Sequence, residues 1–179
     1  MNEIQIITEL NLQYDVARLW SDCHRIIQTH GWGELGQIGL THQPGGEIDP
    51  SWTRLFSGVG SLSRIAAGLQ ERHFTELDEL CRGTYIEEVY HTLPYKIGRL
   101  RLMRVPSRRC YSIHQDSSMR LHLPLVTNPG ALMLFPDDDK IVHLPADGRV
   151  FLIDTTRRHS AMNGGMDDRY HLVGALHEE

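Results

Sequence analysis

Histidine is the residue type in this sequence best suited to metal chemistry. The chain contains 11 histidines, and a neutral imidazole is the commonest metal ligand in proteins. One histidine forms the sequence His114-Gln115-Asp116, and His159 follows further along. Side chains at positions i and i+2 of a strand point to the same side, so His114 and Asp116 can converge on one point. A strand that follows later in a closed barrel can bring His159 to that point.

Two imidazoles and one carboxylate on one side of a metal ion leave three coordination positions open. This arrangement is typical of non-haem Fe(II) oxygenases, in which a cosubstrate and O₂ must both bind the metal. A structural zinc site would instead be closed by four protein ligands. The alternative interpretation of His114, Asp116 and His159 is a hydrogen-bonded polar cluster inside a barrel, with no metal.

An arginine follows the second histidine and could bind a carboxylate. Arg169 lies ten residues after His159 and opens the apolar run 170–173. Its planar, two-pronged guanidinium is suited to the distal carboxylate of a dicarboxylate cosubstrate. A buried structural salt bridge is the alternative role for this residue.

The run 120–126 alternates between two kinds of side chain. Leu121, Leu123 and Leu125 share one face of the predicted strand. Arg120 and His122 share the other face, so they point into the barrel if the leucines pack outward under helices. A buried arginine is costly without an anion, and we expect an anionic ligand beside Arg120. A purely structural polar network is the alternative.

The elements that would position these residues divide the chain into a helical first half and a strand-rich second half. Apolar spacing predicts a helix over 14–28 that ends at Gly31, and a second helical stretch from about 75–78 to just before Pro94. The intervening segment 31–60 is rich in Gly and Pro, with a short strand at 37–41. With His42, Gln43 and Trp52, this segment is either an active-site lid or an ordinary surface loop.

The second half is a succession of short apolar runs bounded by turn residues, with no helix between them. Their spacing of roughly ten residues predicts an antiparallel barrel or sandwich. The predicted strands are 99–105, 110–115, 120–127, 131–135, 141–144, 149–153, 159–163 and 169–176.

Composition excludes several classes of protein. The 179 residues are 40% hydrophobic and 23% charged, which predicts one packed domain. The net charge of −5 argues against a nucleic-acid binder. No apolar run approaches the ~20 residues that cross a bilayer, and the first residues lack the features of a secretory signal. Three widely spaced cysteines argue against a disulfide framework, so we expect a cytoplasmic protein.

Several motifs in the second half occur in an order that matches a known family. They are RLMRVP (101–106), HQD (114–116), RLHLPLVTNPG (120–130), GRVFLIDTTRRHS (148–160) and NGGMDDRYHLV (163–173). With these motifs, residues 99–176 resemble the aspartyl/asparaginyl β-hydroxylase-like family of Fe(II)/2-oxoglutarate-dependent oxygenases. The best-known animal branch lacks an acid at the position of Asp116, and the segment 117–119 is very short here. This chain is therefore closer to the bacterial and small-molecule branches, and substrate contacts do not carry over directly from relatives with a longer loop.

The resemblance implies a fold, a set of cofactors and a role for each site residue. The expected fold is mainly β with flanking helices around a double-stranded β-helix, the jelly-roll or cupin-like core. A single domain would span 1–179, with 1–96 packed on the catalytic core 97–177. Iron would bind His114, Asp116 and His159, and Arg169 would hold the C5 carboxylate of 2-oxoglutarate. Arg120 and His122 would lie near the cosubstrate or a substrate carboxylate.

The implied reaction is hydroxylation of an unactivated C–H bond by O₂, with release of succinate and CO₂. The substrate would be an amino acid, a small carboxylate or an Asp/Asn-type side chain of a peptide. The carboxylate of Asp116 favours hydroxylation, because halogenating relatives lack it. Nothing in the sequence indicates an oligomeric state.

Two other functional classes stay open. One is a non-oxidative metal-dependent cupin enzyme, although such enzymes usually use three histidines with an acid. The other is a catalytically inactive, ligand-binding cupin.

The remaining polar residues are assigned ordinary roles. We expect His143, His171 and His177 to pack within strands or lie at the surface. We expect Asp154 to shape a turn and about half of the arginines between 99 and 109 to face solvent.

Overall fold

The computed structural model describes residues 5–32, 36–45 and 70–177, and its elements are mainly strands. Two α-helices are described, α1 (Val16–His30) and α2 (Tyr85–Thr92). Short 3-10 helices cover Glu71–His73, Glu79–Cys81 and Pro136–Asp138. The strands are β1 (Ile7–Gln13), β2 (Gln37–Gly39), β3 (Thr41–His42), β4 (Glu76–Leu77), β5 (Ile97–Val105), β6 (Arg109–Cys110), β7 (Arg120–Val126), β8 (Ala131–Phe135), β9 (Lys140–His143), β10 (Arg149–Ile153), β11 (Ser160–Asn163) and β12 (Arg169–Leu176).

Two antiparallel sheets form the core. The larger sheet has the order β1-β10-β7-β12-β5-β2 and the smaller has the order β6-β11-β8-β9. A cluster of buried side chains from both sheets joins them, including Phe135 of β8, Ala161 of β11 and Phe151 of β10. Two sheets with this non-sequential strand order make a double-stranded β-helix. The predicted fold class is confirmed.

Helix α1 covers the outer face of the larger sheet. Its N-cap Asp15 accepts a hydrogen bond from the Arg18 amide, and Gly31 ends it with φ of 70°, a conformation that favours glycine. Its buried residues Leu19, Cys23 and Ile26 belong to one core cluster with the leucines of β7. The leucines therefore face the helix, and the alternate side chains of β7 face the interior, as the sequence predicted.

The second predicted helix was placed too early. The segment around Thr75 forms β4, and Asp78 caps a 3-10 helix by accepting from the Leu80 amide. Gly83 has φ of 69°, and α2 begins only at Tyr85. The predicted helix start near Thr75 was therefore wrong: the capping residue is Asp78, and the glycine in the left-handed region stops its turn from extending into a long helix.

One strand prediction also needs correction, and one strand was not predicted. Of the predicted strand 110–115, only Cys110 lies in β6, and the following residues are irregular except for one isolated bridge at His114. Strand β1 was not predicted, although it forms an edge of the larger sheet beside β10.

The predicted lid falls largely outside the described residues. Residues 36–45 carry β2 and β3, and His42 of β3 pairs with Glu76 of β4. Trp52 and the rest of 46–60 lie outside the described residues, so the lid stays a prediction. Within the described part of the chain, neither helix is long and apolar enough to span a bilayer.

Candidate metal centre

His114, Asp116 and His159 meet at one point between the two sheets. One potential ligand atom from each residue lies within 4.8 Å of those of the other two. The imidazole centroids of His114 and His159 are 4.4 Å apart, and Nε2 of His159 lies 3.9 Å from Oδ2 of Asp116. The convergence predicted from spacing is thus present in the structure.

The two histidines are joined through their backbones. The amide of His114 donates to the carbonyl of His159 at 3.0 Å, and the amide of His159 donates back at 2.9 Å. This isolated antiparallel bridge fixes the two residues opposite each other although they lie 45 positions apart in the chain. Such directly paired positions place side chains of the same face about 5 Å apart.

A backbone carbonyl fixes the tautomer of each histidine. Nδ1 of His114 lies 2.7 Å from the carbonyl of Ser112, and Nδ1 of His159 lies 2.9 Å from the carbonyl of Arg157. A carbonyl only accepts, so each Nδ1 carries the proton, and each Nε2 keeps its lone pair. Burial, the largest influence, lowers the pKa of His159 and favours its neutral form.

The loop that carries Asp116 is tied to the turn before His159. The Asp116 amide donates to the carbonyl of Thr155 at 2.8 Å, and the Thr155 hydroxyl donates to the carbonyl of Ser118 at 2.8 Å. Asp154 shapes that turn by accepting from the amide and hydroxyl of Thr156, as the sequence predicted. The aspartate and the second histidine are therefore held by the same pair of loops.

The three side chains open into a cavity of about 440 Å³. Its other walls include Arg101 of β5, Arg120 and His122 of β7, and Arg169 of β12. These strands are neighbours in the larger sheet, so their inward-facing side chains form one polar wall opposite the histidines. All six predicted site residues line this one cavity.

Arg169 is buried in this wall without an acidic partner among the described residues. Its Nε donates to Nε2 of His171 at 3.0 Å, and its Nη2 lies 2.7 Å from Nδ1 of the same ring. A neutral imidazole accepts one hydrogen bond, whereas a guanidinium has five N–H donors. Burial lowers the pKa of Arg169 to about 10, so it remains a cation at neutral pH with donors to offer.

His171 contacts the site and is not an ordinary strand residue. Its Nδ1 lies 3.2 Å from Nδ1 of His122, which makes a buried chain from Arg169 to His122. Burial lowers the pKa of both histidines well below the usual value, and the charge of Arg169 lowers it further. The i, i+2 spacing of Arg169 and His171 on β12 was the available signal for this contact.

Arg120 already has anionic partners from the protein itself. Its Nη2 lies 2.5 Å from Oε2 of Glu71, and its Nε lies 3.1 Å from Oδ2 of Asp116. Glu71 and Asp116 thus supply negative charge to the buried Arg120 from within the protein, and the anionic ligand expected beside it stays a prediction. No motif or spacing in the sequence marks Glu71.

The arginines between 99 and 109 divide between buried and exposed positions, as the sequence predicted. Arg99 and Arg101 are 3% and 4% exposed, and both pair with Glu71. Arg108 and Arg109 beyond the strand end are exposed. His143 lies exposed on edge strand β9, as expected for a residue with a packing or surface role.

Comparisons of the whole chain with solved structures show a fold shared with known hydroxylases. A prolyl hydroxylase from Trichoplax adhaerens, solved with a peptide fragment of hypoxia inducible factor, matches with 14% identity and a TM-score of 0.54, over 97% of this chain and 84% of that chain. A prolyl-4-hydroxylase from Pseudomonas putida matches with 14% identity and a TM-score of 0.53, over 98% and 94%.

A third structure, the viral collagen prolyl hydroxylase of Paramecium bursaria Chlorella virus 1 in complex with 2-oxoglutarate, matches with 9% identity and a TM-score of 0.51, over 97% and 96%. At these identities the likeness concerns the fold alone. A comparison with curated proteins finds no match.

The fold and the His-Asp-His cluster define a jelly-roll protein with a polar cavity between its sheets. The sequence profile of aspartyl/asparaginyl β-hydroxylases matches residues 67–177, which is more than half of the chain. The chain belongs to this family.

Proposed function

We propose that this protein is an Fe(II)- and 2-oxoglutarate-dependent dioxygenase that hydroxylates an unactivated C–H bond. One observation carries the proposal. A single cavity holds two imidazoles with exposed lone pairs, one carboxylate, and a buried arginine that has no acidic partner among the described residues. The first three groups suit a divalent metal, and the arginine suits the far end of a dicarboxylate.

His114, Asp116 and His159 would hold the iron. The fixed tautomers leave the Nε2 lone pair of each ring available to the metal ion. Asp116 would add a carboxylate with one negative charge. Three protein ligands leave coordination positions for other molecules, which distinguishes the set from a closed structural site. Bound Fe(II) and 2-oxoglutarate together would activate O₂, with succinate and CO₂ as products beside the hydroxylated substrate.

The wall of β7 and β12 would bind the cosubstrate. Arg169 would hold its C5 carboxylate through two parallel N–H donors, while the neutral pair His171 and His122 supports the guanidinium from behind. We assign Arg120 and His122 as further contacts of the cosubstrate. Both face the same cavity from adjacent positions of one strand face.

The cavity suits a substrate that carries a carboxylate. Arg101, Arg120 and Arg169 line it as three cations, against Asp116 as the lining carboxylate. We propose an amino acid, a small carboxylate or an Asp/Asn-type side chain of a peptide as substrate. The family name supports the last choice, and the peptide bound by the Trichoplax neighbour supports access for a chain. Three free cysteines favour a reducing, cytoplasmic setting.

A non-oxidative cupin enzyme explains fewer of the observations. Such an enzyme would use the three metal ligands. It would have no role for Arg169, a buried cation that lines the same cavity. An inactive binding protein would use Arg169 to bind its ligand, but it would not need three metal ligands that leave coordination positions open.

The decisive assay is succinate release from 2-oxoglutarate with Fe(II) and O₂, with and without candidate amino acids. We expect slow release alone and stimulation by a substrate. Replacement Arg169→Gln should raise the KM for 2-oxoglutarate by about 30-fold or more, because loss of one partner of a buried charge pair costs at least about 2 kcal/mol. Arg25→Gln on the outer surface of α1 is the matched control and should leave KM unchanged.

Turnover of another substrate with Mn²⁺ or Zn²⁺, without 2-oxoglutarate or O₂, would replace this proposal with the cupin alternative. An unchanged KM in Arg169→Gln would move the cosubstrate anchor to another residue.

A further inference from the structure

Glu71 is the acidic centre of a buried arginine cluster behind the cavity. It is 5% exposed and belongs to the 3-10 helix Glu71–His73, which lies between β3 and β4 in the chain. Its Oε1 lies 3.3 Å from Nη1 of Arg99 and 3.5 Å from Nη2 of Arg101, and its Oε2 lies 2.5 Å from Nη2 of Arg120. One carboxylate therefore faces three guanidinium groups.

The carboxylate stays charged in this position. Burial alone would raise the pKa of Glu71, but the three arginines outweigh burial and lower it. The close contact between Arg120 and Glu71 contributes to this lowering, and it acts at short range in a medium of low dielectric constant.

The backbone is built to let Glu71 approach. A Cβ atom added to Gly98 would lie 2.4 Å from the Glu71 carbonyl oxygen, so only glycine permits this contact. The amide of Arg99 donates to the carbonyl of Phe74 at 2.7 Å and holds the same segment against β5.

Arg120 connects this cluster to the metal-binding set. Its guanidinium lies between Glu71 and Asp116, with Nε 3.1 Å from the Asp116 carboxylate. Without Glu71, the full charge of Arg120 would be directed at Asp116 and would reduce the negative potential that a metal ion meets. The same loss would leave the cavity wall more positive and more attractive to an anion.

We infer that Glu71 is a positioning residue that sets the charge balance of the cavity, favouring the metal cation at Asp116 and moderating the affinity for the anionic cosubstrate. This inference rests on the proposed function. Its distinctive consequence is that removal of the Glu71 charge changes the two affinities in opposite directions. A residue needed only for folding would weaken both.

The test uses Mn²⁺ as the metal probe, measured by the loss of the free-ion electron paramagnetic resonance signal. 2-Oxoglutarate is then titrated into the Mn²⁺-saturated protein by calorimetry. In Glu71→Gln we expect the Kd of Mn²⁺ to rise about tenfold and the Kd of 2-oxoglutarate to fall severalfold. Glu71→Asp keeps the charge and should stay nearer to the wild type. Glu76→Gln, in exposed strand β4, is the control and should change neither.

Arg99→Gln provides the opposite change if Glu71→Gln does not fold. Arg99 does not line the cavity, yet it belongs to the same cluster, so removing its charge should tighten Mn²⁺ and weaken 2-oxoglutarate. The double variant Glu71→Gln/Arg99→Gln restores the net charge and should return both constants toward the wild-type values.

Parallel shifts of the two constants in a folded variant, or no shift above twofold, would overturn the role of Glu71 while leaving the proposed function intact. A wild-type protein that binds neither Mn²⁺ nor 2-oxoglutarate would overturn both.

Discussion

At the scale of single residues, hydrogen bonds from neighbours decide what each histidine can do. Backbone carbonyls hold the Nδ1 protons of His114 and His159, and this leaves Nε2 of each ring for a ligand. His122 and His171 instead face each other and are fully buried, so their neutral forms are favoured. Two histidines of the site thus have an Nε2 free to bind a metal, whereas the other two form a buried neutral pair beside Arg169.

The buried neutral pair predicts acid sensitivity. The folded-state pKa of each histidine lies well below the unfolded value near 6.5, so the unfolded chain binds more protons as pH falls. The free energy of unfolding is therefore highest above pH 6.5 and declines below it, by about 1.4 kcal/mol per pH unit for each fully titrating group. Urea unfolding of the metal-free protein between pH 7.5 and 5.5 measures this slope.

A matched pair of variants separates the buried pair from other histidines. His171→Gln should reduce the acid slope, whereas His143→Gln on the exposed edge strand should not. Equal slopes in the wild type and His171→Gln would show that this residue is not buried in its neutral form.

At the scale of secondary structure, the side chains of β7 alternate between a face that stabilises the fold and a face that lines the cavity. Leu121, Leu123 and Leu125 pack in the core cluster under α1, and Arg120 and His122 face the cavity. This division could be predicted from the sequence because polar and apolar residues still alternate along a strand that is buried on both sides when one side is polar. Strand β1 escaped prediction because, as an edge strand, it buries none of its seven residues fully.

Glu71 could not be predicted for a different reason. It acts through contacts with Arg99, Arg101 and Arg120, which are distant in sequence and are brought together only by the docking of a three-residue helix. The start of α2 was misplaced because a single glycine, Gly83, interrupts a segment whose composition is helical on both sides.

The division along β7 predicts that Leu123→Ala affects only stability. Leu123 is 1% exposed, and its truncation should lower the free energy of unfolding by about 2–5 kcal/mol. The Kd of 2-oxoglutarate for the metal-loaded protein should change less than about threefold, because the substitution lies on the far side of the sheet. Denaturant unfolding and calorimetry measure the two effects, and a large loss of affinity without a loss of stability would contradict the assignment of faces.

At the scale of the whole molecule, the first half of the chain completes the barrel. Strands β1 and β2 form both edges of the larger sheet, α1 covers its outer face, and Glu71 enters its interior. We therefore propose that residues 1–179 fold as one domain, with 1–96 and 97–177 inseparable.

If the two halves unfold as one cooperative unit, unfolding curves recorded by different methods should coincide. All tryptophans of the sequence, Trp20, Trp32 and Trp52, lie in the first half, so their fluorescence reports on that half. The far-UV circular dichroism signal reports on the secondary structure of both halves. Urea midpoints from the two methods should agree. A fluorescence transition at clearly lower urea than the dichroism transition would show that the N-terminal part unfolds separately.

The central claim is that His114, Asp116 and His159 bind Fe(II) in a way that leaves room for chelation by 2-oxoglutarate. Its most direct test is anaerobic titration of the protein with Fe(II) and then 2-oxoglutarate, followed by visible absorption. We predict a weak charge-transfer band in the wild type that is absent in His114→Ala. Iron bound in stoichiometric amount with no band after addition of 2-oxoglutarate would contradict the claim.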